Sequence, residues 1–140
     1  MQLLFYGIVK IKGDILVELQ EYDLAIKSYK RLKDECERYS GKEFRALKMK
    51  TYEQIAVCYS TCLKYNISIT YYKKALQIAY QIRDNVSELF YYEKLARAYM
   101  NAGDPDKMVL YHQRAFYSIL EPQDSDVFKA SLAIVETKMR

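Results

Sequence analysis

Cys58 and Cys62 stand one helical turn apart, a spacing that puts both sulfurs on one face of a helix. Two thiolates so placed are half of a tetrahedral zinc set. Cys36 is the only other sulfur donor of that type, and no second Cys or His pair follows at finger spacing. Packing as small buried hydrophobes is the reading that remains for them. His112 is the single histidine, with no acid or nucleophile fixed beside it by the sequence. No Gly-rich phosphate loop occurs. The chain therefore offers no catalytic, metal-binding or cofactor-binding set, and an enzyme is not expected.

Basic residues are the next candidates. Lys27, Lys30, Arg31 and Lys33 cluster, as do Lys73 and Lys74, with tyrosines nearby that are able to stack on bases. Asp34, Glu35 and Glu37 follow the first cluster directly, so Lys30–Asp34 and Lys33–Glu37 form natural i,i+4 pairs on a solvated face. A net charge of +4 permits contact with acidic partners without arguing for it, and no specific nucleic acid is expected.

The elements that would position such residues follow from composition. Four Gly and two Pro in 140 residues leave little punctuation for short strands, which favours long helices. Hydrophobic residues at 51% suffice for one domain core. Fifteen Tyr and no Trp suit half-buried positions between packed helices. No apolar run approaches the roughly 18 residues that span a bilayer, and "MQLLFYGIVK" lacks a basic start and a cleavage site. An odd cysteine count reads as reduced thiols, so a soluble, cytoplasmic protein is expected.

A repeat organises the chain. Tyr92, Leu95, Ala96 and Tyr99 have counterparts, all at one constant offset upstream, in Tyr52, Ile55, Ala56 and Tyr59. His112, Ala115 and Phe116 answer Tyr72, Ala75 and Leu76 in the same register. A looser copy, at a slightly larger offset, contains Gly13, Leu16, Ala25, Tyr29 and Leu32. Gly13 to Leu32, Ala56 to Ala75 and Ala96 to Ala115 are equal separations along the chain, which places small residues where two antiparallel helices cross. His112 falls at a position of core aromatics, so a packing role is expected for it.

Gly103 followed by Asp104-Pro105 marks a helix stop and restart. The expected helices are 2–19 with 21–39, 43–62 with 66–83, and 86–102 with 105–119. Asn85 with Glu88 resembles a capping box. Glu121-Pro122 ends the third hairpin, and Ser125 begins a last helix over 126–139. One domain over 1–140 is expected, with hairpins 2–40, 43–83 and 86–120 and a terminal helix (125–139) covering the last one.

These residues resemble the tetratricopeptide repeat, with its W-x2-L-G-x2-Y, A-x3-F and P signature. Tyr or Val replaces the Trp, Ala replaces Gly in two copies, and Ser68 and Met108 stand at a usual Ala. The closing Pro is missing, and the period of 40 to 43 looks like the lengthened repeats of kinesin light chains and Pins-type adaptors. "GDPDKMVLYHQRAFYSILEP" is also similar to modules of ciliary axonemal proteins. The resemblance implies an all-α, right-handed superhelical solenoid. It implies a protein-binding scaffold, with a cytoskeletal or axonemal location within reach.

The resemblance also implies a concave groove lined by the first helix of each hairpin. Helical periodicity then turns Lys50, Glu53, Gln54, Val57, Ser60 and Thr61 toward it, with Phe90, Glu93, Lys94, Arg97, Met100 and Asn101 in the third hairpin. Lys10, Ile11, Asp14, Val17 and Glu18 follow from the first. Four positive and four negative charges leave this groove neutral. Chaperone-cofactor repeats clamp acidic C-terminal tails with Lys, Arg and Asn here. Asp14 and Val57 occupy Asn slots and Phe90 a Lys slot, so that clamp is disfavoured. A mixed-charge, partly apolar peptide or helix fits better, and no membrane partner is expected.

Leu3, Leu4 and Phe5 stand where a terminal hairpin should be polar. An outside chain covering them is expected, which would make the protein part of a homo- or hetero-oligomer, or of a larger repeat array.

Overall fold

The computed structural model describes residues 2–119, which form helices α1 (Gln2–Glu18), α2 (Tyr22–Glu37), α3 (Lys42–Thr61), α4 (Tyr65–Gln81), α5 (Asn85–Asn101) and α6 (Pro105–Ser118). Among the described residues there is no strand. Each helix packs against the next in chain order. The result is three hairpins stacked as an all-α solenoid, with α2 against α3 and α4 against α5 joining them. Every helix end lies close to its expected place. The terminal helix expected at 125–139 falls outside the described residues.

Four of the five turns share one geometry. Gln20, Leu63, Arg83 and Gly103 take the left-handed conformation, with φ of 60°, 62°, 56° and 83°. The next residue's N–H reaches back to a carbonyl of the finishing helix in each case: Glu21 to Leu16 at 2.8 Å, and Lys64 to Tyr59, Asp84 to Ala79 and Asp104 to Tyr99 at 2.9 Å. This is the Schellman closure, normally a glycine position. Only Gly103 announces it in the sequence. The α2–α3 link is longer and ends at Gly41.

The helix starts are capped unequally. Asp104 accepts the Lys107 N–H at 3.1 Å, as its place before Pro105 predicts. The helix start expected at Asn85 lies one position earlier, and the reciprocal bond of a capping box is replaced by a second bond from Ser87. Asp84 is the N-cap, accepting the Ser87 N–H at 3.0 Å and the Ser87 hydroxyl at 2.7 Å.

Small residues sit at the crossings. Ala56, Ala75, Ala96 and Ala115 are buried, and Ser68 joins them by donating its hydroxyl to the Ala56 carbonyl at 2.9 Å. A Cβ added at Gly13 would lie 2.5 Å from Tyr29 Cε1, so the α1–α2 crossing is tighter than alanine allows. Aromatic stacks then fill the seams. Tyr59 stacks on Tyr71, and one period on Tyr99 stacks on Tyr111, with ring centroids 5.7 and 5.2 Å apart.

His112 departs from its expected packing role. It is exposed, with Nδ1 3.4 Å from Glu93 Oε2, whereas Tyr72, its counterpart, is buried. The reason is positional: α5 lies over Tyr72, while no described hairpin follows α6. Lys30 likewise donates to the Tyr59 hydroxyl at 3.1 Å rather than pairing with Asp34, which Lys33 takes at 2.6 Å.

Candidate protein-interaction surface

The first helices α1, α3 and α5 carry the residues expected to line a groove. The structure divides those residues into two kinds: some are consumed in holding the repeats together, and others stand exposed.

Asp14 and Glu53 belong to the first kind. Asp14 accepts from the Tyr29 hydroxyl and pairs with Lys10 at 2.9 Å. Glu53 accepts from the buried Tyr91 hydroxyl at 2.7 Å, linking α3 directly to α5, and lies 3.6 Å from Lys50. Burial first, and the carboxylate partner second, raise the Tyr29 and Tyr91 phenols well above the ordinary tyrosine range. Both phenols therefore remain donors at any pH the protein meets. Val57, expected to face a ligand, is partly buried against the core cluster of α3, α4 and α5. It packs there because that cluster reaches across the helix to its side. Gln54 and Ser60 are half-buried.

The second kind gathers on α5. Phe90, Arg97, Met100 and Asn101 are exposed. The Lys94 ammonium lies 5.2 Å from the Phe90 ring centre, a cation–π contact that holds both in place. Glu93 is also exposed, with Oε2 3.4 Å from His112 Nδ1 on α6. Asn101, with Ala102, also borders an open cleft of ≈ 440 Å³ whose other wall is the end of the α3–α4 turn and the start of α4, residues 63–67. On α1, Ile11 and Glu18 are exposed and Val17 is half-buried.

The second helices display a feature the sequence reading missed. Lys30 lies over Tyr59, and Lys73, one period on, over Tyr99, at 5.6 and 5.4 Å. Lys74 lies over Tyr71, and Arg114, its counterpart in the next hairpin, over Tyr111, at 5.2 and 4.7 Å. The repeat period itself carried this signal, because the cations recur with the tyrosines. Much of the basic excess is thus seated on aromatic rings as part of the repeat.

The thiols are split. Cys36 and Cys58 are buried, and burial pushes each up to about 11; Cys62 is partly exposed. Among the described residues, no group of three or more His, Cys, Asp or Glu is placed to hold a metal ion. Among them, too, no helix is long and apolar enough to cross a membrane. The outer side of α1 exposes Ile8, Ile11 and Ile15 together with Leu4, which extends the apolar surface expected from Leu3, Leu4 and Phe5.

Comparison with known families accounts for the hairpins. Residues 11–35, from α1 into α2, and residues 92–124, from α5 through α6, each match a family model of the tetratricopeptide repeat. No curated protein matches the chain significantly. The middle hairpin repeats the same crossings, stacks and turns. With its three stacked hairpins and two such matches, the chain is a tetratricopeptide repeat protein, of a family whose repeats serve as protein–protein interaction scaffolds.

Proposed function

We propose that the chain is a single-domain, non-catalytic interaction module that holds a peptide or helix along the first-helix face, with α5 as the main contact. The observation that carries this reading is the exposure of Phe90 and Met100 beside Lys94 and Arg97. Aromatic and arginine side chains are the residue types that dominate interface energetics. The ligand suited to them has apolar side chains flanked by carboxylates. Lys10, Asp14, Lys50 and Glu53 support the groove wall more than they contact the ligand, because they pair with one another or with the core tyrosines. A pull-down from cell extract comparing the natural chain with the Lys94→Glu, Arg97→Glu double variant tests it. Proteins captured by the first and lost by the second are the expected result; identical captures would count against the groove.

A second reading makes the chain a structural subunit of a larger assembly, joined through its first hairpin to another chain. The exposed apolar side of α1 favours it. The long repeat period, with its likeness to kinesin light chains, Pins-type adaptors and axonemal modules, is consistent with a cytoplasmic, cytoskeleton-associated place for such an assembly.

A further inference from the structure

The second-helix side of the stack carries cations that the fold positions without neutralising them. At the seam between the first two hairpins, Tyr59 of α3 stacks on Tyr71 of α4. Lys30 of α2 lies over both rings, at 5.6 and 5.9 Å, and donates to the Tyr59 hydroxyl. Lys74 of α4 shares the Tyr71 ring at 5.2 Å. At the next seam Lys73 of α4 and Lys107 of α6 share the Tyr99 ring, each at 5.4 Å. Lys73 and Lys74 are neighbours in the sequence, so α4 joins the two seams into one surface.

Carboxylates are distributed differently. Toward the end of α2, Lys33 is taken by Asp34 and Glu37, and Lys48 by Glu37. α4 contains no Asp or Glu along its whole length. Among the described residues, Lys30, Lys73, Lys74 and Lys107 have tyrosine rings beside them and no carboxylate in ion-pair contact. Lys73, Lys74 and Lys107 are exposed, and Lys30 is half-buried. An aromatic ring attracts an ammonium through its quadrupole and leaves the charge in place. The charges therefore add on this face, and the rings hold them in position before any ligand arrives, which lowers the ordering cost of binding.

We propose that this face, centred on α4, is a second interaction surface whose occupant is an extended peptide segment rich in Asp and Glu. Charge complementarity selects an anion. A peptide fits better than a nucleic-acid strand, because the rings of both seams are already stacked on one another and Tyr99 and Tyr111 are buried. A single strand uses such rings as platforms for its bases. A carboxylate needs only a positioned ammonium, which is a compact point charge. The surface lies on seams between described hairpins and on the second helices, so it is independent of the α5 contact proposed above.

The experiment is fluorescence anisotropy of a labelled oligoglutamate titrated with the full chain, beside an oligoglutamine and a single-stranded oligonucleotide of equal charge. Oligoglutamate should bind, more weakly as salt is raised, and oligoglutamine should not. Lys73→Glu, Lys74→Glu should lower the affinity about tenfold, because several screened charge contacts turn repulsive together. Lys12→Glu, Arg45→Glu makes the same change in net charge at exposed residues of α1 and α3 and should lower it far less. Helical circular dichroism checks the fold of each variant. If the α4 double variant does not fold, Gln77→Glu replaces it: Gln77 is exposed and one turn from both lysines, so it gives them a carboxylate of their own and should also weaken binding. No binding, or equal losses in the two double variants, overturns the proposal. An oligonucleotide that binds more tightly than oligoglutamate and is lost with the α4 variant overturns the peptide as occupant.

Discussion

The Tyr91 hydroxyl donates to Glu53 Oε1 at 2.7 Å, tying the third hairpin to the second through a residue that the sequence assigns to ligand binding. The Tyr91 ring is fully buried, and its partner is a carboxylate. A hydrogen bond to a charged group contributes roughly 1.5–3 kcal/mol. Tyr91→Phe should therefore lower the stability measured by urea denaturation by about 1–2 kcal/mol, with the helical spectrum retained.

Gly13 is a packing residue. Gly13→Ala puts a methyl group into the Tyr29 ring edge, and the ring has little room to move because its hydroxyl is held by Asp14. Overpacking of this kind costs about 1–3 kcal/mol. Gly7, on the same helix, has nothing within 4 Å of an added Cβ. Gly7→Ala should be neutral or stabilising, because alanine is the better helix former by about 1 kcal/mol. Thermal denaturation of the two variants side by side separates packing from propensity.

Leu63, Arg83 and Gln20 occupy left-handed backbone that costs an L-residue roughly 1–2 kcal/mol. Replacing each with glycine should raise stability by a few tenths to about 1 kcal/mol, the relief being offset by the extra freedom of the unfolded chain. Gly103→Ala, at φ 83°, should lower it. A set of three gains and one loss in melting temperature is expected.

Asp84 ties stability to acid pH. Its carboxyl is held below the ordinary range first by the Ser87 hydroxyl and then by the Ser87 N–H. A depressed folded value means its contribution is complete above pH ~4, near the unfolded value, and disappears as pH falls through the folded one. Asp84→Ala should cost about 1 kcal/mol at neutral pH, and the two melting curves should converge as the solution is acidified.

The buried thiols give the opposite sign. Cys36 and Cys58 are raised from 9.0 to about 11, so their contribution is complete below pH 9 and falls as pH rises from 9 toward 11. At mildly alkaline pH a thiol reagent should label Cys62 quickly and Cys36 and Cys58 only on unfolding. Rapid labelling of all three would contradict the packing described here.

The hairpins were legible because the constraints that make them are local. Small residues at Gly13, Ala56 and Ala96 recur with aromatics at fixed spacing, and helical geometry does the rest. The turns were less so: Gly103 advertises its conformation, but Leu63 and Arg83 adopt it under the pull of the flanking helices and carry no such mark. The groove was the least legible. Whether Glu53 faces a ligand depends on Tyr91, far along the chain on another hairpin, and whether His112 is packed depends on what lies beyond α6. Neither is a property of a single helix face.

The central claim, that α5 carries the ligand-binding surface, is tested most directly by selecting ligands from a displayed random-peptide library and measuring the winners by calorimetry. The account predicts peptides with apolar residues beside carboxylates. Their affinity should fall at least about tenfold, or about 1.4 kcal/mol, in Lys94→Glu, Arg97→Glu, while Lys27→Glu, Arg31→Glu on α2 leaves it unchanged. Selected peptides that bind the α5 variant as tightly as the natural chain, or that are lost with the α2 variant instead, would contradict it.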